Sequence, residues 1–229
     1  MRAADLALRD QALRQQLVQH ANRLQPLGLA TGTSGNLSVR STSGAHGGML
    51  ITPSGIGYDA LRPQDIVAVD FTGPGTARWQ HALDPSSEWL MHQAVYQARP
   101  DAGAVVHGHP TYATVLAIQG LEIPALHYMI AAAGGAPIRC APYHTYGTAA
   151  LSRAAVVALA GRKACLLAHH GLLVFEADLA KAMWLAGEVE TLAQQMVMCL
   201  ALGGPKLLPE AEIDVVVDKF SRYGLKAAR

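Results

Sequence analysis

Leu6, Leu13, Leu17 and Leu24 recur at helical spacing between Asp5 and Leu24, which predicts an amphipathic helix closed by Leu27-Gly28-Leu29. The period then shortens. Leu37-Ser38-Val39-Arg40 alternates as a half-buried strand does, and Met49-Leu50-Ile51 and Ile66-Val67-Ala68-Val69-Asp70 read as two more strands. A polar, glycine-rich stretch over 41–48 predicts a surface hairpin loop, and Thr72-Gly73-Pro74-Gly75 predicts a turn. Short strands joined by short connections pair antiparallel.

The second half of the chain alternates strands with longer helical patterns. Ser86 or Ser87 is predicted to cap a helix running to about Arg99, with Glu88 in its first turn. Val105 and Val106 are β-branched and predict a buried strand ending at His107-Gly108-His109. Pro110 then opens a helix through Gln119, proline being tolerated at the first helical position. A short strand over 138–142, an alanine-rich helix over 147–159 and strands over 164–169 and 172–175 follow. Asp178 caps a long helix to about Leu202, and Glu210 to Tyr223 forms the last one. The expected class is α/β, a three-layer α/β/α arrangement around a central, largely antiparallel sheet, with residues 1–229 as one domain.

Composition narrows this picture. A chain of 229 residues can bury a large core, and 51% hydrophobic against 15% charged residues favours an oligomer that covers more surface. The net charge of +1, without a basic run, speaks against nucleic acid or an anionic membrane as partner. Cys140, Cys165 and Cys199 are odd in number and far apart, as expected of reduced core cysteines in a cytoplasmic protein. The N-terminus mixes charges with alanines and leucines and has no signal-peptide pattern. The apolar region over 125–138 is too short to span a bilayer.

The candidate chemistry lies in three stretches. His107 and His109, two apart at a strand end, leave on one side as metal ligands would, although a lone His-x-His among 10 histidines is a weak signal. Asp84-Pro85-Ser86-Ser87-Glu88 and His169-His170-Gly171 strengthen it. Three neutral imidazoles and a carboxylate make a zinc set, and the carboxylate can also leave a metal and act as a base. On a strand His169 and His170 would point to opposite faces, so only one of them reaches the metal. His92, four residues after Glu88, shares its helix face and competes as a ligand, but a supporting or core role is preferred. Gly35-Asn36, Ser54-Gly55 and Ser86-Ser87 are each plain turns when taken alone, yet each offers the hydroxyls and N–H groups that bind a phosphate. No Walker-type loop indicates a nucleotide. Tyr128 alone reads as an interface or core tyrosine.

Ser86-Ser87-Glu88, His107-Gly108-His109 and His169-His170-Gly171, in this order, resemble the class II aldolase/adducin family. Thr33-Ser34-Gly35-Asn36, Ile51-Thr52-Pro53-Ser54-Gly55, the stretch from His127 to Gly135 and Lys219 to Leu225 support the resemblance, which runs from about residue 25 to the C-terminus. It implies one Zn²⁺ per subunit, or another divalent transition metal, held by Glu88, His107, His109 and His170. It implies a phosphate site at Gly35, Asn36, Ser54, Gly55, Ser86 and Ser87. Tyr128 would donate a proton to an aldehyde oxygen in the neighbouring subunit's site, and Tyr223 would help close the same pocket. The implied assembly is a homotetramer. The implied reaction is reversible cleavage of a ketose 1-phosphate, either L-fuculose 1-phosphate or a related deoxy- or methylthio-pentulose 1-phosphate, to dihydroxyacetone phosphate and a short aldehyde. The same scaffold also hosts pentulose-5-phosphate 4-epimerases, methylthioribulose-phosphate dehydratases, sugar-acid phosphate decarboxylases and adducin-like binding modules. Epimerases of the family carry aspartate where this chain has Glu88, and the binding modules have lost the metal ligands.

Overall fold

The computed structural model describes residues 3–41 and 47–222. Six helices are present among them: α1 (Ala3–Leu24), α2 (Trp89–Ala98), α3 (Thr111–Ile118), α4 (Ala149–Ala158), α5 (Leu179–Ala201) and α6 (Glu210–Arg222). The strands are β1 (Asn36–Ser41), β2 (Gly48–Ile51), β3 (Val67–Gly73), β4 (Thr76–Arg78), β5 (Ala104–Gly108), β6 (Cys140–Ala141), β7 (Ala164–Leu167) and β8 (Gly171–Glu176). They form one sheet in the order β4-β3-β2-β1-β5-β8-β7-β6. Every neighbouring pair is antiparallel except β6 and β7, so the sheet is mixed but mostly antiparallel.

Alternation along the strands divides the core in two. Leu37, Val39, Leu50, Val106 and Val174 pack with α1, α3, α5 and α6. Met49, Ile51, Val105, Leu173 and Phe175 pack with α2 and α4. β5 therefore has apolar neighbours on both faces and a strand on each side, which explains its β-branched run. Local chemistry fixes the helix ends. The Asp178 carboxylate accepts from the Lys181 N–H at 2.8 Å to start α5, and Thr148 Oγ accepts from the Leu151 N–H at 3.2 Å to start α4. The half-buried Glu190 carboxylate accepts from the N–H groups of Tyr112 and Ala113, pinning the start of α3 to α5.

Several expectations shift. Glu88 is the N-cap residue of α2 rather than part of its first turn, because the Ser86 hydroxyl and carbonyl take the N–H groups of Glu88 and Trp89 in a separate turn. Pro110 is the N-cap of α3, in extended conformation, rather than its first helical residue. The predicted turn after Asp70 is the tip of a hairpin, since β3 runs on to Gly73 and pairs with β4. β4 is short and polar and carries no apolar signal of its own. Residues 42–46 of the predicted hairpin loop lie outside the described residues. No helix among the described residues is long and apolar enough to cross a membrane.

Candidate active site

His107 lies near the end of β5 and is fully buried. Its Nδ1–H donates to the Leu172 carbonyl of β8 at 2.9 Å, which leaves the Nε2 lone pair facing outward. Nε2 of His107 is 3.0 Å from Nε2 of His109 and 3.0 Å from Oε2 of Glu88. Nε2 of His170 is 3.4 Å from Oε1 of Glu88. One ligand atom from each of Glu88, His107, His109 and His170 lies within 4.8 Å of all the others. The predicted metal set is thus one cluster, drawn from the start of α2, the end of β5 and the turn between β7 and β8.

His169 and His170 separate for a reason other than strand alternation. Both lie in the β7–β8 turn, where His169 adopts a left-handed backbone with φ 55°. His169 turns toward Tyr143, with ring centroids 5.9 Å apart, while His170 enters the cluster. Small residues make the close approach possible. A Cβ on Gly171 would stand 2.3 Å from the Gly108 carbonyl oxygen and 2.8 Å from the His109 ring. Gly171→Ala is therefore expected to push β5 and β8 apart at the cluster, costing about 1–3 kcal/mol of stability and weakening the affinity of the cluster for a divalent metal ion. Thermal unfolding and a zinc titration check this, and unchanged values for both would refute it.

The electrostatics suit a cation. Burial opposes the charged form of Glu88, but His107, His170 and the Asn36 amide outweigh it and hold the carboxyl well below its usual range. Burial, reinforced by neighbouring imidazoles, pushes His109 and His170 down to about 4, so both present lone pairs at neutral pH. Burial also disfavours the charged form of His107, but Glu88 and the Leu172 carbonyl raise its pKa overall. Glu88 Oε1 is buried without a hydrogen bond. An ionised carboxylate with one oxygen that makes no hydrogen bond, ringed by converging imidazole nitrogens, fits a divalent transition metal.

Beside the buried His107, the other members of the cluster, Glu88, His109 and His170, line a cavity of about 520 Å³. Two of the three predicted phosphate turns are laced together at its rim. Pro53 and Pro85 bridge, Ser54 N–H donates to the Asp84 carbonyl and Ser86 N–H to the Thr52 carbonyl. The buried Tyr58 hydroxyl sits 3.0 and 2.7 Å from the Ser34 and Gly35 carbonyls, clamping the third turn. Gly35 has φ +84°, and a Cβ there would meet the His107 carbonyl at 2.9 Å, so this turn sits directly against the end of β5. Gly35, Ser54, Gly55, Ser86 and Ser87 all line the cavity.

Asn36 lines the cavity too, but its side chain is not free for a phosphate. Its Nδ2 donates to Glu88 Oε2 at 3.1 Å and its Oδ1 faces His92 Nε2 at 2.5 Å. His92 stays out of the cluster, as preferred, because the Asn36 and Ser38 side chains occupy its two nitrogens. The opposite wall carries Tyr143, His144 and Tyr146. Tyr128 does not line this cavity; it is 49% exposed at the start of a 3₁₀ helix, its ring 4.7 Å from that of His127. Tyr223 lies outside the described residues. The Tyr58 clamp and the Asn36–His92 link escaped the sequence reading, since neither sits at a spacing that marks it.

Known proteins share both the sequence and this architecture. Residues 15–197 match the family described as Class II Aldolase and Adducin N-terminal domain. The 5-methylthioribulose-1-phosphate/5-deoxyribulose-1-phosphate aldolase of Rhodospirillum rubrum is 50% identical over 213 residues, covering 93% of each chain. The L-fuculose phosphate aldolase of Escherichia coli is 49% identical over 215 residues, covering 93% of this chain and 96% of that one. A solved L-fuculose 1-phosphate aldolase superposes with a TM-score of 0.85 at 40% identity, covering 92% of this chain and 96% of the other. Identity of this extent, over nearly the whole length of both relatives, shows that the chain belongs to the class II aldolase and adducin family.

Proposed function

We propose that this protein is a metal-dependent aldolase that reversibly cleaves a ketose 1-phosphate to dihydroxyacetone phosphate and a short aldehyde. One observation carries this reading: Glu88, His109 and His170, clustered with the buried His107, open onto a cavity also lined by hydroxyl- and amide-bearing turns. The relatives named above are aldolases of L-fuculose phosphate and of 5-methylthio- and 5-deoxyribulose 1-phosphates, which supports substrates of that class.

The rim residues Gly35, Ser54, Gly55, Ser86 and Ser87 bind the phosphate and set the sugar chain over the cluster. Zinc held by His107, His109, His170 and Glu88 would supply Lewis acidity toward the substrate carbonyl. Glu88 moves the proton at C3 of dihydroxyacetone phosphate, the carbon released when the carbon–carbon bond breaks. The buried, hydrogen-bonded setting of Glu88 keeps it ionised, as a base must be. Tyr128 donates to the aldehyde oxygen, and its exposed place away from the cavity of its own chain favours service in a neighbouring subunit. Residues 1–229 then act as one three-layer α/β/α domain in a cytoplasmic homotetramer, with Tyr223 completing the pocket.

The test is a cleavage assay coupled to detection of dihydroxyacetone phosphate. The panel is L-fuculose 1-phosphate, 5-deoxyribulose 1-phosphate and 5-methylthioribulose 1-phosphate, each beside its free ketose. Cleavage of at least one phosphorylated sugar is expected, with the free ketose far slower, because remote binding energy supports the chemistry. Equal efficiency with the free ketoses would reduce the rim to ordinary turns, and no cleavage across the panel would refute the aldolase. The shared site is tested by co-expressing Glu88→Gln with Tyr128→Phe. Mixed assemblies regain about a quarter of the sites if each site takes one residue from each side of a head-to-tail interface. Activity no higher than the parents' average places both residues in one chain.

A further inference from the structure

Behind Glu88 runs a buried chain of side chains that the proposed reaction leaves without a role. It passes from Tyr96 through Ser38 and His92 to Asn36, with contacts of 2.8 Å (Tyr96 Oη to Ser38 Oγ), 2.7 Å (Ser38 Oγ to His92 Nδ1) and 2.5 Å (His92 Nε2 to Asn36 Oδ1). It ends at Glu88 Oε2, 3.1 Å from Asn36 Nδ2. Tyr96 and His92 lie on α2, eight and four residues after Glu88, whereas Asn36 and Ser38 lie on the same face of β1. All four are buried.

We infer that His92 is a positioning residue that acts through Asn36 to hold Glu88 by one carboxylate oxygen and leave the other toward the reacting carbon. This rests on Glu88 being the base of the proposed function. The direction of the chain follows from donor and acceptor chemistry. An ionised carboxylate only accepts, so Asn36 must present its NH₂ to Glu88 and its carbonyl to His92. His92 must then carry its proton on Nε2, since a carbonyl cannot donate. A neutral imidazole has one proton, so Nδ1 accepts, and Ser38 must donate to it. Ser38 in turn accepts from the Tyr96 hydroxyl. Reversing any link would turn the Asn36 carbonyl onto the Glu88 carboxylate, a repulsive contact in a buried site. Oε2 is thereby fixed, and Oε1, which makes no hydrogen bond and faces His170 Nε2 at 3.4 Å, is the oxygen left to take the proton.

Two measurements test this. In metal-free protein labelled with ¹⁵N, the His92 ring is expected to show a protonated Nε2 and a bare Nδ1; the opposite tautomer overturns the inference. In zinc-loaded protein, His92→Phe removes the donor to Asn36. Its kcat for proton exchange at C3 of dihydroxyacetone phosphate is expected to fall about ten- to a hundredfold, with KM and zinc content unchanged. His92→Gln, whose amide nitrogen reaches the place of Nε2, should restore most of the loss. Wild-type kcat in His92→Phe, or an equal loss of KM, zinc and unfolding temperature in both variants, overturns the positioning role. If His92→Phe does not fold, Ser38→Ala decides, with an altered His92 tautomer signal and lower kcat expected and no change in either refuting it. A wild-type protein that exchanges no proton refutes the aldolase instead, and the tautomer still decides the hydrogen-bond chain.

Discussion

Glu88→Gln is expected to lower proton exchange at C3 of dihydroxyacetone phosphate by about 10³-fold, within the range that a general base contributes. Glutamine keeps the shape of the side chain but not its charge. It accepts no proton at neutral pH, and half of its terminus becomes a donor. Asn36 Nδ2 still finds an oxygen on it, so the side chain stays in place and the loss is chemical rather than steric. Phosphate binding should survive, because the rim turns at Gly35, Ser54 and Ser87 make no contact that needs the carboxylate charge. Following solvent deuterium into dihydroxyacetone phosphate, alongside a titration with inorganic phosphate, separates the two properties. Exchange at the wild-type rate would remove Glu88 from the role of base.

Removing the metal is expected to cost at least as much. Zinc at this cluster would supply several kcal/mol of charge stabilisation, so a chelated and dialysed protein should retain less than about one part in 10³ of its cleavage activity. One equivalent of Zn²⁺ per chain should restore it, and Co²⁺ or Mn²⁺ should restore a part, since imidazole and carboxylate donors accept each of these ions. The same equivalent should raise the unfolding temperature, because an ion that binds only the folded cluster stabilises it by mass action. The structure gives a reason to expect this second effect. Nε2 of His107 and of His109, 3.0 Å apart, and Glu88 Oε1, which makes no hydrogen bond, are ligand atoms that a cation would satisfy together. Full activity in protein verified to be metal-free would exclude the metal from the reaction.

Much of the frame was legible in the order of residues because its signals are local. The β-branched Val105-Val106 run is a strand buried on both faces, Asp178 caps α5 through its own carboxylate, and Leu13, Leu17 and Leu24 of α1 pack on the core. Signals that depend on partners failed. β4 exists only by pairing with β3, since Thr76-Ala77-Arg78 has no apolar side to recognise. The start of α2 moved to Trp89 because Ser86 spends its hydroxyl on a turn, a choice that the identity of serine leaves open.

The same division runs through the site. The sequence alone determined which residue types were at hand: His107 and His109 two apart at a strand end, His170 beside a glycine, Glu88 after two serines. These are facts of spacing, and a strand end or a turn expresses spacing directly. Only the tertiary structure decided how they are used. Residues 81 positions apart in the chain, such as Glu88 and His169, reach the same cavity because β5 and β8 pair side by side and the turn before β8 folds over the strand end. The left-handed backbone at His169 selected His170 for the cluster, where strand alternation had offered no preference. The fate of Asn36 is the sharpest case. Its position beside Gly35 marks it for a phosphate, yet β1 lies next to β5 and faces α2, and that packing commits both ends of its amide to Glu88 and His92. An amide has two ends and either can serve a ligand, so only the three-dimensional neighbours determine which ones it holds.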